Sequence, residues 1–254
     1  MKRKFVIAAA GGNGTAIEVL ERPLSRAEYA TRGAELGIAM EKFGAEQAGF
    51  LIPSESHFEM GGGEFCGNAA RSAAILLSEA LQSSHPSFTM SGYGGTVKSI
   101  VEQTSETNYY VSCFFPGLKT DMESIALSSG RRVAVVDLGG IVHVVLEAPF
   151  PVSAAAYQAE HKAIVTELDL ASRSAVGVVW IERVAEGVSM RPVVWVKDVN
   201  TFFYEHSCGS GTIAVSKVTG AEAVIQPTGQ MIEASITPAG VMLKSAMEVV
   251  HHED

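Results

Sequence analysis

One pattern, written twice, constrains this chain more than any other. Residues 60–77 read MGGGEFCGNAARSAAILL and residues 202–215 read FFYEHSCGSGTIAV. In both, an acidic residue precedes a cysteine, a glycine and a small polar residue follow it, and a run of small or apolar residues suited to a buried helix closes the stretch. Each cysteine therefore stands where a loop becomes a helix. There it meets the positive end of the helix dipole and several unpaired backbone N–H groups, which favour thiolate and lower the thiol pKa. The same N–H groups hold carboxylates. Two such helix starts facing each other would grip one small carboxylate with a sulfur on either side, a geometry for moving a proton rather than for filling a core.

A chain of 254 residues, 47% hydrophobic and 19% charged, can bury a core as one large domain or as two of about 120 residues. Its formal net charge of −9 leaves no basic stripe for nucleic acid or an anionic membrane. Three cysteines, Cys66, Cys113 and Cys208, are too few and too scattered for a disulfide framework and point to a reducing compartment. Cys113, flanked by Phe114, reads as a small buried hydrophobe. The scattered histidines lack metal-ligand spacing, so no metal is expected. The apolar run Phe5–Ala10 is too short for a signal peptide, and no stretch approaches the roughly 18 apolar residues of a membrane span. A cytoplasmic protein is the expectation.

Along the chain, strands are expected at Lys4–Ala10 and Ala16–Leu20, joined by a loop over Gly11–Thr15. A helix over Ser25–Phe43, capped by Ser25 and stopped by Gly44, and a strand over Gln47–Ile52 precede the first cysteine helix, Cys66–Gln82. Strand-like runs follow at Gly95–Glu102 and Asn108–Phe115, then a polar boundary at Lys119–Gly130. From Arg132 the order recurs: strands Arg132–Leu138 and Val142–Glu147, a helix over Ser153–Leu168, strands Ala175–Arg183 and Met190–Lys197, and the second cysteine helix from Cys208. Glu222–Val249 returns to alternating strands around the turn Gln226-Pro227-Thr228-Gly229. The recurrence predicts duplicated lobes, residues 1–122 carrying Cys66 and 123–254 carrying Cys208, with the C-terminal strands free to return to the first lobe. A small-ligand site is expected in the cleft between them.

Cys66-Gly67-Asn68-Ala69 and Cys208-Gly209-Ser210-Gly211-Thr212, together with Asn13 in its GGNG loop and Gln226-Pro227 with Gly229, resemble the diaminopimelate epimerase-like superfamily of cofactor-independent amino-acid racemases. The resemblance spans most of the chain. It implies an α+β fold of two pseudo-symmetric lobes, each a mixed β-sheet curled around a central helix, with the active site in the inter-lobe cleft. Where diaminopimelate epimerase grips the far amino-acid end of its substrate, this chain has Gly139–His143, Gly177–Trp180 and Phe203–Ser207. Apolar groups there would leave a second carboxylate and ammonium unpaired, at a cost on the order of several kcal/mol. Glu46–Phe50, Gly63–Ala69, His143 after a β-branched residue and Glu205 ahead of Cys208 are similar to the histidine racemases of staphylopine-type opine metallophore biosynthesis. L-Histidine thus becomes the leading substrate, although Arg71 and His206 have no obvious counterparts there.

The resemblance implies that Cys66 and Cys208 are catalytic, one as thiolate removing the α-proton and the other as thiol returning one to the opposite face, with no pyridoxal phosphate or other cofactor. Backbone N–H groups around Gly67, Asn68, Gly209 and Ser210 would bind the reacting carboxylate and the charge that moves onto it. It assigns Glu205, helped by His143, to the substrate ammonium. From the residues alone, Glu205 also reads as a solvated helix-end acid and His143 as a core histidine. Glu46 is a candidate for the side-chain pocket or a surface acid, and Asn13 and Asn68 suit either substrate binding or turn geometry. Arg71 is expected to cap solvent-side groups and Trp180 to wall the pocket. The expected partner is a small amino acid, and a homodimer is allowed. Two rivals stay open: diaminopimelate epimerase or a racemase of another amino acid, and a non-catalytic amino-acid-binding or redox-responsive module.

Overall fold

In the computed structural model, which describes residues 3–253, β1 (Lys4–Ala9) and β2 (Gly12–Val19) form a hairpin. Its turn is only Ala10-Gly11, both at positive φ. That is tighter than the Gly11–Thr15 loop expected from sequence; Asn13 already lies in β2, at φ 47°, a left-handed conformation asparagine tolerates. α1 (Arg26–Met40) begins with a reciprocal cap, the Ser25 side chain accepting the Glu28 N–H while the Glu28 carboxylate accepts the Ser25 N–H. Gly44, at φ 84°, ends the short turn that follows. Then come β3 (Ala45–Ile52), β4 (His57–Met60), α2 (Gly67–Ala80), β5 (Ser87–Met90), β6 (Tyr93–Gln103) and β7 (Asn108–Pro116).

The rest of the chain comprises β8 (Asp121–Ala126), β9 (Arg132–Asp137), β10 (Val142–Glu147), α3 (Ala154–Glu167), β11 (Ala175–Val184), β12 (Gly187–Val196), β13 (Thr201–Tyr204), α4 (Gly209–Thr219), β14 (Ala223–Ile225), β15 (Met231–Thr237) and β16 (Gly240–Glu253). The polar Lys119–Gly130 stretch, read from sequence as a boundary, thus carries a strand. β8 pairs only with β9 and is mostly exposed, so nothing in its composition announces it.

The strands form one mixed 16-stranded sheet. From β1 to β7 neighbours pair in sequence order, and β16 closes the run by pairing with both β7 and β1. The ring encloses α2, whose residues Gly67–Leu77 are all buried; a helix lined by small and apolar groups on every side needs such an enclosure. A second run, β16-β15-β14-β12-β11-β10-β9-β8, wraps α4, buried from Gly209 to Ser216.

The two runs repeat one another in pairing sense. Antiparallel β1–β2, parallel β2–β3, antiparallel β3–β4 and parallel β4–β5 are matched by β9–β10, β10–β11, β11–β12 and β12–β14. In both, the first parallel connection carries an outer helix, α1 or α3, and the second carries the enclosed cysteine helix. Both enclosed helices share one apolar core, whereas α1 and α3 cover separate clusters on the outside of the sheet. Trp180 belongs to the cluster beside α3, packed edge-on against Phe150. Its place on β11 faces it outward from α4, away from the cavity lined by Glu46 and Glu205. Among the described residues no helix is long and apolar enough to cross a membrane.

Candidate active site

Glycine brings the two enclosed helices into contact at their starts. A Cβ on Gly67 would lie 3.3 Å from the Gly209 Cα, and one on Gly209 would lie 3.1 Å from the Gly67 carbonyl carbon. Cys66 and Cys208 immediately precede these glycines and act as N-caps, each sulfur accepting the N–H three residues on, from Ala69 at 3.4 Å and Gly211 at 3.3 Å. The sulfurs occupy the role usually filled by a serine or aspartate oxygen. All three cysteines are free.

Each cap is held by neighbours on other elements. The Cys66 thiol donates to Gln47 Oε1 at 3.1 Å, and Gln47 Nε2 donates in turn to Thr15 Oγ1. The Glu205 carboxylate stands beside the Cys208 thiol, and the Cys208 backbone N–H donates to Gln226 Oε1 at 2.9 Å. Gln226 is itself fixed by Thr212 and the Val224 carbonyl. This accounts for the late Gln226-Pro227 turn: it anchors the second cysteine.

A cavity of about 220 Å³ is lined by Glu46, Gln47 and Glu64 from the first half and by Val196, Phe203 and Glu205 from the second; neither cysteine lines it, and it meets them through Gln47, the partner of Cys66, and Glu205, the neighbour of Cys208. No lysine, arginine or histidine is among its lining residues. Burial pushes Glu205 up to about 8, with Glu46 and Glu64 adding to the shift and hydrogen bonds from Cys208 and Asn13 opposing it. Glu64 is raised to about 7, also by burial, and its Oε2 has no partner. Glu46 is raised by burial, against the opposing bond from His206 Nδ1 at 2.6 Å. A pocket with three such acids suits a cationic guest and repels a second carboxylate.

The cysteines do not behave as their helix positions alone predict. Burial and then the Glu205 carboxylate push the Cys66 thiol up to about 12 and the Cys208 thiol well above its ordinary value; the capping N–H groups pull downward but are outweighed. Both rest as thiols. The helix ends lower the cost of a thiolate without reversing it.

Of the other residues singled out in the sequence, Asn13 and Asn68 both donate through Nδ2 to the Ser207 carbonyl, at 2.7 and 3.1 Å. Their side chains stitch β2 and α2 to the segment before Cys208, and Asn13 Oδ1 remains without a partner. His143 lies apart from the cavity: it is wholly buried, its Nε2 is 2.9 Å from Ser210 Oγ, and burial pushes it down to about 3, so it is neutral. Ser210 Oγ in turn stands 3.6 Å from Cys208 Sγ. His143 thus meets the second cysteine helix through Ser210. Arg71 does not cap solvent-side groups, being fully buried.

Sequence reasoning missed Gln47, Ser207 and Glu64 as parts of the site. Gln47 and Glu64 sit inside the short motifs around Glu46 and Cys66, where adjacency was the available signal; Ser207 gave none, because its carbonyl is the group that binds.

Comparison with known proteins gives the family. The family model described as the histidine racemase CntK N-terminal domain matches residues 7–251. A histidine racemase of Fusobacterium nucleatum subsp. nucleatum is 29% identical over 204 residues, covering 73% of this chain and 72% of that protein. Among solved structures, a predicted epimerase from Pseudomonas aeruginosa superposes with a TM-score of 0.65 at 15% identity, over 100% of this chain and 99% of its own. A probable proline racemase from Agrobacterium radiobacter K84 gives 0.59 at 13% identity, over 100% and 91%. These structures share the fold. The match over nearly the whole sequence makes the chain a member of the histidine racemase CntK N-terminal domain family, and so an isomerase of the amino-acid racemase class.

Proposed function

We propose that this racemase interconverts L- and D-histidine without a cofactor, with Cys66 and Cys208 as paired bases in a cleft between lobes 1–122 and 123–254. The observation that carries the reading is the junction itself: two enclosed helices touch at Gly67 and Gly209, and each begins with a cysteine cap. A substrate carboxylate laid against N–H groups of both starts would be held by two dipole ends at once, and these donors would stabilise the charge that moves onto it as the Cα proton leaves. The substrate ammonium meets Glu205 and the free Asn13 Oδ1. The acid-lined cavity receives the imidazole, which accords with the histidine substrate in the names of the curated relatives.

For the enantiomer whose Cα proton faces Cys208, the Glu205 carboxylate takes the thiol proton and the resulting thiolate removes the Cα proton. The bonding pair passes into the carboxylate as an enediolate. The Cys66 thiol then delivers its proton to the opposite face and is left as thiolate, and once product leaves, the proton held on Glu205 passes to Cys66 by way of solvent, which restores both thiols. In the reverse direction the sulfurs exchange roles, so the pair titrates as a coupled unit. His143 orients Ser210, which orients the Cys208 sulfur.

The test is deuterium incorporation at Cα in heavy water over a panel of amino acids, with circular dichroism following racemisation. Histidine should exchange and racemise, and Cys66→Ser and Cys208→Ser should each abolish racemisation with the fold intact. Inert histidine beside an active diaminopimelate or aliphatic amino acid would overturn the substrate. Full activity in either cysteine variant would overturn the two-base chemistry.

A further inference from the structure

Arg71 takes no part in the proton transfers above, yet its position demands an account. It lies on the second turn of α2 with 0% exposure. Among the described residues one hydrogen bond leaves it, from Nη2 to Asn68 Oδ1 at 2.5 Å, while Nε and Nη1 find no acceptor. No carboxylate pairs with it among the described residues. A buried, unpaired charge is strongly destabilising, and an apolar side chain of similar volume would serve a core better.

Its neighbours indicate what the charge is for. A Cβ on Gly209 would meet Nη2 at 3.1 Å, so the guanidinium sits at the junction of the two helix starts. Burial pulls Arg71 down to about 10, still a cation at neutral pH, and the titratable groups that face it are, strongest first, Cys113 from β7, Cys66 at the first cap, Cys208 at the second, and Tyr110 from β7. At neutral pH none is an anion: burial pushes Cys66, Cys113 and Tyr110 up to about 12 and Cys208 well above its usual range. The guanidinium therefore gains a counter-charge only when negative charge forms at the junction, as thiolate, bound carboxylate or enediolate.

We infer that Arg71 is a positioning residue for racemisation, a permanent buried cation that supports negative charge on the two cysteines and the substrate carboxylate while locking Asn68 onto Ser207. The inference rests on the racemase reading of the same site. It assigns to Arg71 a trade of stability for activity, which a purely structural arginine would not show.

Three readouts on the full chain test it: thermal midpoint, the pH dependence of Cys66 alkylation by iodoacetamide located by peptide mass, and the kcat and KM of histidine racemisation. Arg71→Met should melt no lower than wild type, since an uncompensated charge is replaced by an apolar chain. Cys66, which also faces Glu205 and Glu64, should be alkylated more slowly at a given pH, about tenfold for each unit its pKa rises. Its kcat should fall about 10- to 100-fold, as for loss of a preorganised charge-stabilising group, with KM little changed. Arg71→Lys should recover much of both losses.

A folded Arg71→Met protein with a wild-type Cys66 profile overturns the inference. Should methionine prevent folding, Arg71→Lys decides: a wild-type profile supports the charge role, and a profile moved to higher pH despite the retained charge overturns it. Alkylation needs no substrate, so it separates the two proposals. Wild-type protein that exchanges no amino acid ends the racemase reading while the thiol readout still stands; wild-type racemisation with thiols indifferent to Arg71 ends only this inference.

Discussion

Replacing Gly209 by alanine tests whether the contact between helix starts sets the reacting geometry. The added Cβ would lie 3.0 Å from Asn68 Oδ1, 3.1 Å from Arg71 Nη2 and 3.1 Å from the Gly67 carbonyl carbon. Relaxed carbon contacts sit at about 3.5–4.0 Å, so α4 must withdraw from α2 by roughly half an ångström. Overpacking of this kind costs about 1–3 kcal/mol, and alanine's better helix propensity returns up to about 1 kcal/mol. Net destabilisation should therefore lie between about 0 and 3 kcal/mol, leaving a folded protein with a lower melting midpoint. Catalysis should suffer more: a 1 Å misplacement costs about 100-fold, so half that displacement of the Cys208 cap predicts roughly a tenfold loss of kcat. Cα deuterium exchange of histidine, run beside a thermal melt, measures both. A Gly209→Ala protein with wild-type kcat would refute the argument that this contact places the sulfurs.

Glu205→Gln removes the group that accepts the Cys208 proton, and kcat should fall about 10²- to 10⁴-fold, the range for general bases. In wild type, kcat/KM should rise with pH through about 8, where Glu205 ionises, and the variant should lose that limb; an unchanged profile would remove Glu205 from the proton path. Because the folded-state values of Glu205 (about 8) and Glu64 (about 7) lie above their ordinary 4.5, the native state holds more protons than the unfolded chain between those values. Stability is therefore fully present below about 4.5 and declines as pH rises towards 8. Thermal melts across pH 5–8 should show this fall, and Glu205→Gln or Glu64→Gln should each flatten it; a midpoint that climbs over this window in wild type would contradict the sign. Gly177→Ala would set a Cβ 2.2 Å from His143 Nδ1, turning the ring off Ser210. It should slow racemisation while leaving Cys66 alkylation at its wild-type rate, and loss of both would show a wider disruption than this contact explains.

What was legible in the sequence followed from local chemistry. Ser25 with Glu28 marks a helix start, and a run such as AARSAAILL suits a helix buried on every side. The repeated order of elements gave the duplication, and the cysteine–glycine pairs gave the junction. Closure of the first ring was less accessible, because β16 reaches from residue 240 to pair with both β7 and β1, and such long-range pairing leaves no local mark. The roles of Gln47, Gln226 and Ser207 were hidden for the same reason: each acts across the fold on a cysteine or asparagine far away in sequence. The burial of Arg71 was within reach, since a residue amid an all-round buried helix cannot extend to solvent.

The thiols show why helix position alone misleads. A helix start offers a sulfur partial charges of about half a unit, whereas burial removes the full solvation of an anion and Glu205 adds a whole negative charge nearby. Burial and the carboxylate prevail over the dipole, and the unliganded site is a pair of quiet thiols beside three raised acids. A zwitterionic substrate would reverse the balance by its own charges. On the proposed reading its ammonium would offset Glu205, its carboxylate would engage both helix starts, and a cationic imidazole would offset Glu46 and Glu64, so the electrostatic cost of a thiolate would fall only when the correct molecule is present. Selectivity and activation then share one origin. An amino acid with a neutral side chain would leave two of the acids uncompensated, and should be processed slowly even where it fits.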